Sequence, residues 1–346
     1  MTDARLSSPA ETVSVIGGGV VGLCVASALA ERGAKVTLFE RAVEPGPASC
    51  SWWAGGMLAP WCEGESAEEP VVRLGEQAIG WWGERVGGVT LEGSLVVAPA
   101  RDTGELRRFA RLTSHFETVD GDRIGALEPD LGGRFREGLF FAGEGHLDPR
   151  RALADLAARL PGLGVEMRFG EAVDPADAPG DRVVDCRGLA ARDEVPGLRG
   201  VKGEMLIVRS ADVSLSRPVR LLHPRIPLYI VPRGAGVFMI GATMIESDER
   251  TRITARAMME LLGGAYALHP AFAEAEILEI GVDARPAFAD NLPRLLDDGR
   301  ILRAGGTYRH GFLLAPALAM QAADLCLDPS SSPEFFHDHH RQRRSA

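Results

Sequence analysis

The chain has 346 residues, enough for two packed domains, and its 45% hydrophobic and 25% charged content is that of an ordinary globular protein. Forty-eight acidic against 38 basic residues give a formal net charge of −10, which speaks against a nucleic-acid partner held by clustered Lys and Arg. The five cysteines (Cys24, Cys50, Cys62, Cys186 and Cys326) are scattered without a CxxC pair, so neither a disulfide framework nor a metal site is expected.

Residues 1–11 lack the apolar stretch of a signal peptide, and a cytoplasmic protein with no membrane partner is expected. The uncharged run 13–30 approaches the length of a membrane span, but Gly17, Gly18, Gly19 and Gly22 would make it a poor helix at its centre. A strand over 12–16, a glycine turn and a helix over 20–32 ending at Gly33 account for it better. A second strand over 35–40 completes a βαβ unit with a parallel pair. Residues 43–60, rich in Pro, Gly, Ser and Trp, read as a long connection of the kind that carries function. Helix-like pieces follow at 71–85 and 103–113, with a strand at 94–98.

Asp148 before Pro149 predicts a capped helix running to about residue 160. Strands are then expected at 165–169, 182–186, 202–209, 227–232 and 237–243. Gly234-Ala235-Gly236 joins the last two as a hairpin. A helix over 254–268, a strand over 300–304 and a helix over 314–327 finish the ordered chain. The architecture is α/β: a discontinuous Rossmann-type domain (1–67, 142–203, 280–330) into which an α+β domain with a mostly antiparallel sheet (68–141, 204–279) is inserted. Residues 331–346 read as a flexible tail, whose histidines 337, 339 and 340 belong to a frayed polar end rather than a metal site.

Gly17-Gly18-Gly19-Val20-Val21-Gly22 fits GxGxxG between a strand and a helix. Gly17 permits the turn, Gly19 lets backbone approach a pyrophosphate, and Gly22 lets helix and strand pack closely. Glu40, at the end of the second strand, is placed to accept ribose hydroxyl protons, with Arg41 beside it near the adenine. A second glycine turn, Gly305 to Gly311, stands between the strand 300–304 and the last helix. A flavin needs backbone donors near its pyrimidine carbonyl, where reduction places negative charge, and a nicotinamide does not.

The motifs VIGGGVVG, SWWAGGMLAP, VKGEM, YIVPR, GATM, ARP and TYRHGFLLAP occur in this order between residues 15 and 316. In this series the chain resembles the glycine oxidases of thiamine biosynthesis, within the D-amino acid oxidase-like FAD enzymes. The resemblance implies non-covalent FAD, since no cysteine lies between Gly281 and Arg309. It sets Val20 and Val21 at the pyrophosphate, Ser51, Gly55, Gly56 and Met57 against the flavin, and Val173 beside the adenine. Thr307, Tyr308, His310, Gly311, Phe312 and Leu313 would surround the pyrimidine end.

It further implies that Arg285 holds a substrate carboxylate bidentately, helped by Tyr229. Arg309 would serve as a second anchor or orient the amine, and Met244 would line the pocket. The implied reaction is oxidation of a small amino acid, glycine first, to an imine or glyoxylate. Hydride would go to flavin N5, and O2 would return as H2O2. A D-amino acid, sarcosine or proline oxidase or dehydrogenase, a non-catalytic FAD-binding subunit and an NAD-dependent dehydrogenase are the alternatives. Expected partners are the amino acid and O2, with a thiazole synthase or carrier protein besides and a homo-oligomer left open. Pro227 and the pair Trp52 and Trp53 depart from the family pattern.

Overall fold

The computed structural model describes residues 11–223, 228–328 and 330–337. The 13–30 run resolves into the strand Thr12–Ile16, a glycine turn, and the helix Val20–Glu31. Among the described residues, no helix is long and apolar enough to cross a membrane. Thr12–Ile16 lies inside a seven-stranded sheet, next to its middle strand. Lys35–Glu40 pairs with it on one side and Arg182–Asp185 on the other, both parallel, and Glu166–Phe169 and Ile301–Gly305 extend the parallel set. The run of Val, Ile and Leu in these strands is what a sheet covered on both faces requires.

Two helices of small apolar residues, Val20–Glu31 and Gly311–Leu327, lie against this sheet, with Leu23, Val25, Leu29, Leu314 and Leu318 at the shared core. The last helix begins three residues before the predicted 314, because the glycine turn leads directly into it. The predicted helix 71–85 is two helices, Glu69–Gly75 and Ala78–Arg85.

The second sheet runs Ile245–Glu246, Arg199–Arg209, Val237–Gly241, Leu228–Gly234, Val219–Leu221, Ser94–Val97, Glu137–Phe141, Glu117–Asp120. Its described pairings are antiparallel except that of Val219–Leu221 with Ser94–Val97. The helix Ala255–Leu268 covers one face, burying Leu261, Ala265 and Leu268 against Ile230, Phe238 and Ile240.

The strand Glu276–Ala287 was not anticipated. Its twelve residues pair antiparallel with Arg199–Arg209 over nearly their whole length. Charges at Glu276, Glu279, Asp283 and Arg285, with Gly281 and Pro286, hide its alternation. Pro286 is tolerated because, apart from an isolated bridge between Ala287 and Thr307, only one edge of this strand is paired among the described residues.

The flexible tail expected over 331–346 is corrected where the structure describes it. Phe336–His337 pairs in parallel with Leu295 and Leu296, and Phe335 is 2% exposed. Two adjacent phenylalanines supply the apolar area that holds this end to the sheet. The remainder of that tail, with residues 339 and 340, and Pro227 lie outside the described residues.

Candidate functional site

A cavity of about 420 Å³ opens at the carboxyl ends of the central parallel strands, the usual place for a ligand in an open α/β sheet. Its lining includes Gly17 to Val21, Glu40, Arg41, Ser51, Val173 and Thr307. The glycines fit a backbone-lined cradle. Gly17 has φ +108°, and a Cβ there would stand 2.7 Å from the Cys186 carbonyl oxygen. A Cβ on Gly22 would stand 1.8 Å from the Gly17 carbonyl oxygen.

Glu40 pins the turn from the other side. Its carboxylate accepts from the N–H of Gly18 at 2.6 Å and of Ala42 at 2.8 Å. Ser51 Oγ accepts from the Val20 N–H at 3.1 Å, and the N–H groups of Val21 and Gly22 have no acceptor within the helix. With no acidic residue in its first turn, the helix end is suited to a pyrophosphate.

The strand Glu276–Ala287 separates this cavity from a second group of residues. Ala284 and Pro286 line the cavity, so strand alternation turns Arg285 to the opposite face. Its guanidinium lies across Gly203, where a Cβ would stand 2.3 Å from Nη2 and 2.4 Å from Nη1. Nη1 donates to the Thr243 carbonyl at 3.1 Å. Thr243 Oγ1 donates to Glu204 Oε2 at 2.8 Å and accepts from the Glu204 N–H at 2.9 Å. Glu204 is fully buried and paired with Lys202 at 3.0 Å. Three separated motifs therefore form one support: VKGEM supplies the glycine bed and the carboxylate, GATM the carbonyl, and ARP the guanidinium.

The segment 241–244 is where the expected substrate residues meet. Tyr229 pairs with Gly241 across the sheet, and its ring leaves no room for a Cβ on Gly55 (2.9 Å) or Gly241 (3.1 Å). Tyr308 Oη lies 3.3 Å and Arg309 Nη1 3.9 Å from Met244 Sδ. Met244 is 50% exposed, at the rim of the group.

The arginines around it differ in charge compensation. Arg250 forks onto Asp283, and Arg220 and Arg309 both reach Glu63, at 2.5 and 2.8 Å. Arg233 donates to the carbonyls of Ala54, Gly55 and Leu147, and burial brings its pKa down to about 10. Arg285 has no carboxylate partner among the described residues. A guanidinium held by one carbonyl and otherwise open is prepared for an incoming carboxylate.

Glu63, absent from the sequence reading, is 7% exposed. Burial alone would raise its pKa, but Arg309 and Arg220 together hold it well below the usual carboxylate range. His310 Nδ1 stands 3.4 Å from the same carboxylate. Burial lowers His310 to about 4, with Arg309, Arg220 and Arg285 acting in the same direction and Glu63 against it, so the ring is neutral at pH 7.

A histidine whose folded value lies below its unfolded 6.5 binds fewer protons when folded, so its contribution to stability is complete above pH 6.5 and is lost toward pH 4. The loss amounts to about 3 kcal/mol for such a shift. Thermal melts from pH 7 to 4 should show that loss, and His310→Gln should flatten the profile by this share. A variant with the wild-type slope would refute the assignment.

Not every expected cofactor residue faces the cavity. Gly55 lies beneath Tyr229, and Gly56, at φ +70°, packs on Leu147 and Pro149. Met57 pairs with His146. Gly311 packs near Val20 and Thr307. Phe312 and Leu313 send their side chains into the core, where the Phe312 carbonyl accepts from Trp82 Nε1 at 2.8 Å. Trp52 and Trp53 serve packing: Arg150 stacks on both rings, at 4.7 and 5.3 Å, while it forks onto Glu279.

The FAD dependent oxidoreductase family (DAO) matches residues 12–325. A Rhizobium etli protein named as the thiamine biosynthesis oxidoreductase ThiO is 57% identical, covering 93% of this chain and 98% of its own length. A bifunctional ThiO/ThiG protein of Synechocystis sp. is 28% identical over 93% of this chain, which spans 52% of that protein. The crystal structure of glycine oxidase from Geobacillus kaustophilus superposes with a TM-score of 0.76 at 25% identity, covering 94% of this chain and 96% of that one.

Proposed function

We infer, because this chain belongs to the DAO family of FAD dependent oxidoreductases, that it oxidises glycine, or an equally small amine, to the imine in service of thiamine synthesis. The observation that carries the substrate class is Arg285, a guanidinium laid on Gly203 with no acidic partner among the described residues, held by the Thr243 carbonyl two residues from the Gly241 that pairs with Tyr229.

The residues at the cavity suit FAD. Glu40 and Arg41 would take the ribose and adenine end, the turn 17–22 the pyrophosphate, and the turn after Gly305 the pyrimidine edge. Bound there, FAD would supply the hydride acceptor for oxidation of the substrate carbon, with O2 as the final oxidant and H2O2 as its product. Arg285 and Tyr229 hold the carboxylate and so fix the orientation of Cα. Glu204 and Lys202, through Thr243, keep Arg285 from rotating away. His310, buried and neutral, brings no positive charge to the site. This chemistry needs no protein base once the substrate amine is neutral.

The released imine either hydrolyses to glyoxylate or passes to a thiazole synthase, a partner supported by the ThiO/ThiG relative in which two proteins are joined. We place the enzyme in the cytoplasm with that partner. The test is to add glycine to the purified yellow protein without oxygen and record the visible spectrum. Bleaching of the flavin band is expected. A spectrum that bleaches only with sarcosine, proline or a D-amino acid would move the substrate assignment, and one that bleaches with none would leave a non-catalytic flavoprotein.

A further inference from the structure

The two arginines that flank residues 243 and 244 are prepared in opposite ways. Arg285 meets a carbonyl and a glycine, whereas Arg309 turns Nη2 to Glu63 at 2.8 Å and to Ser66 Oγ at 2.7 Å. Only its Nη1 is directed at the pocket rim, 3.9 Å from Met244 Sδ. Glu63 is held in place from behind, since Arg220 from the second sheet reaches its other oxygen at 2.5 Å. The helix Pro60–Glu63 that carries it is buried at Pro60, Cys62 and Glu63.

We propose that Glu63 biases this site toward substrates with a single carboxylate, by engaging Nη2 of Arg309 and partly compensating its charge so that Arg285 is the main anchor for an anionic group. The inference rests on the assignment of Arg285 to the substrate carboxylate. A second carboxylate on the ligand would approach Arg309 with Glu63 directly behind it. Glu63 lies farther from that carboxylate than Arg309 does, so its repulsion weakens the attraction to the guanidinium without abolishing it, and Arg220 shares in compensating Glu63. Glu63 thus acts on the substrate through Arg309, as a specificity-determining residue. A free Arg309 would instead favour dianions, as a second fork for carboxylate recognition.

The experiment titrates FAD-loaded protein with acetate and with malonate by calorimetry, in the wild type, Glu63→Gln and the double variant Glu63→Gln/Arg309→Gln. The wild type should bind malonate no more tightly than acetate. Glu63→Gln should shift the malonate-to-acetate affinity ratio about tenfold toward malonate, and the double variant should return it to the wild-type value. Should Glu63→Gln fail to fold with two guanidinium groups left facing each other, Glu63→Gln/Arg220→Gln removes one of them and should show the same shift.

A ratio unchanged in both variants that free Arg309, or a wild type that already prefers malonate tenfold, would overturn the proposal. Absence of acetate binding by the wild type would instead remove the assignment of Arg285, and this inference with it.

Discussion

Arg285→Ala should raise the KM for glycine about a hundredfold or more while FAD stays bound. A charged hydrogen-bonded pair across a desolvated contact is worth roughly 2–5 kcal/mol when one side is truncated. The tertiary support of Arg285 does not overlap the dinucleotide cavity: its neighbours Ala284 and Pro286 face that cavity and its side chain does not. Arg285→Lys should recover little, because a single ammonium cannot reproduce the planar fork.

Gly203→Ala tests the same geometry without touching the charge. Its new methyl would stand 2.3–2.4 Å from the guanidinium, so Arg285 must leave its place over the strand. KM should rise by about tenfold in that variant, with kcat falling less, since orientation is lost only in part. The measurement is steady-state kinetics beside the ratio of flavin to protein absorbance. An Arg285→Ala enzyme with wild-type KM would end the carboxylate assignment.

Gly22→Ala should empty the protein of FAD. A Cβ at position 22 would stand 1.8 Å from the Gly17 carbonyl oxygen and 3.3 Å from Cys186 Cβ. These contacts join the first helix to the central strands, so neither side can yield without moving the turn proposed to cradle the pyrophosphate. Affinity for FAD should fall by at least about a hundredfold, and stability by about 1–3 kcal/mol, the usual cost of overpacking. Gly80→Ala is the control. That glycine lies in the helix Ala78–Arg85 with nothing within 4 Å of the added Cβ, so the variant should gain a few tenths of a kcal/mol and keep its FAD. Fluorescence titration of FAD and thermal melts read both. Normal FAD affinity in Gly22→Ala would show that the tight helix–strand contact is dispensable.

Features whose signal is local are legible in the amino-acid order alone. Strand, glycine turn, helix and Glu40 stand within thirty residues, and a backbone-lined phosphate site needs little beyond glycines in that order. The cap Asp148 was legible for the same reason, as it acts on N–H groups two and three residues away. The ordered motifs from VIGGGVVG to TYRHGFLLAP carried the family and, with it, Arg285 and Tyr229.

Which charge meets which is set by the packing of distant segments. Glu63 sits 246 positions before Arg309, on a short helix just past the 43–60 connection, and nothing near it marks the carboxylate as buried. Gly203 and Glu204 read as an unremarkable stretch of strand until the strand Glu276–Ala287 lays Arg285 across them. That strand was itself obscured by the charges it carries to the site. An arginine's availability depends on the carboxylates within a few ångströms of it, and those distances are set by sheet register between distant segments, which no local pattern encodes.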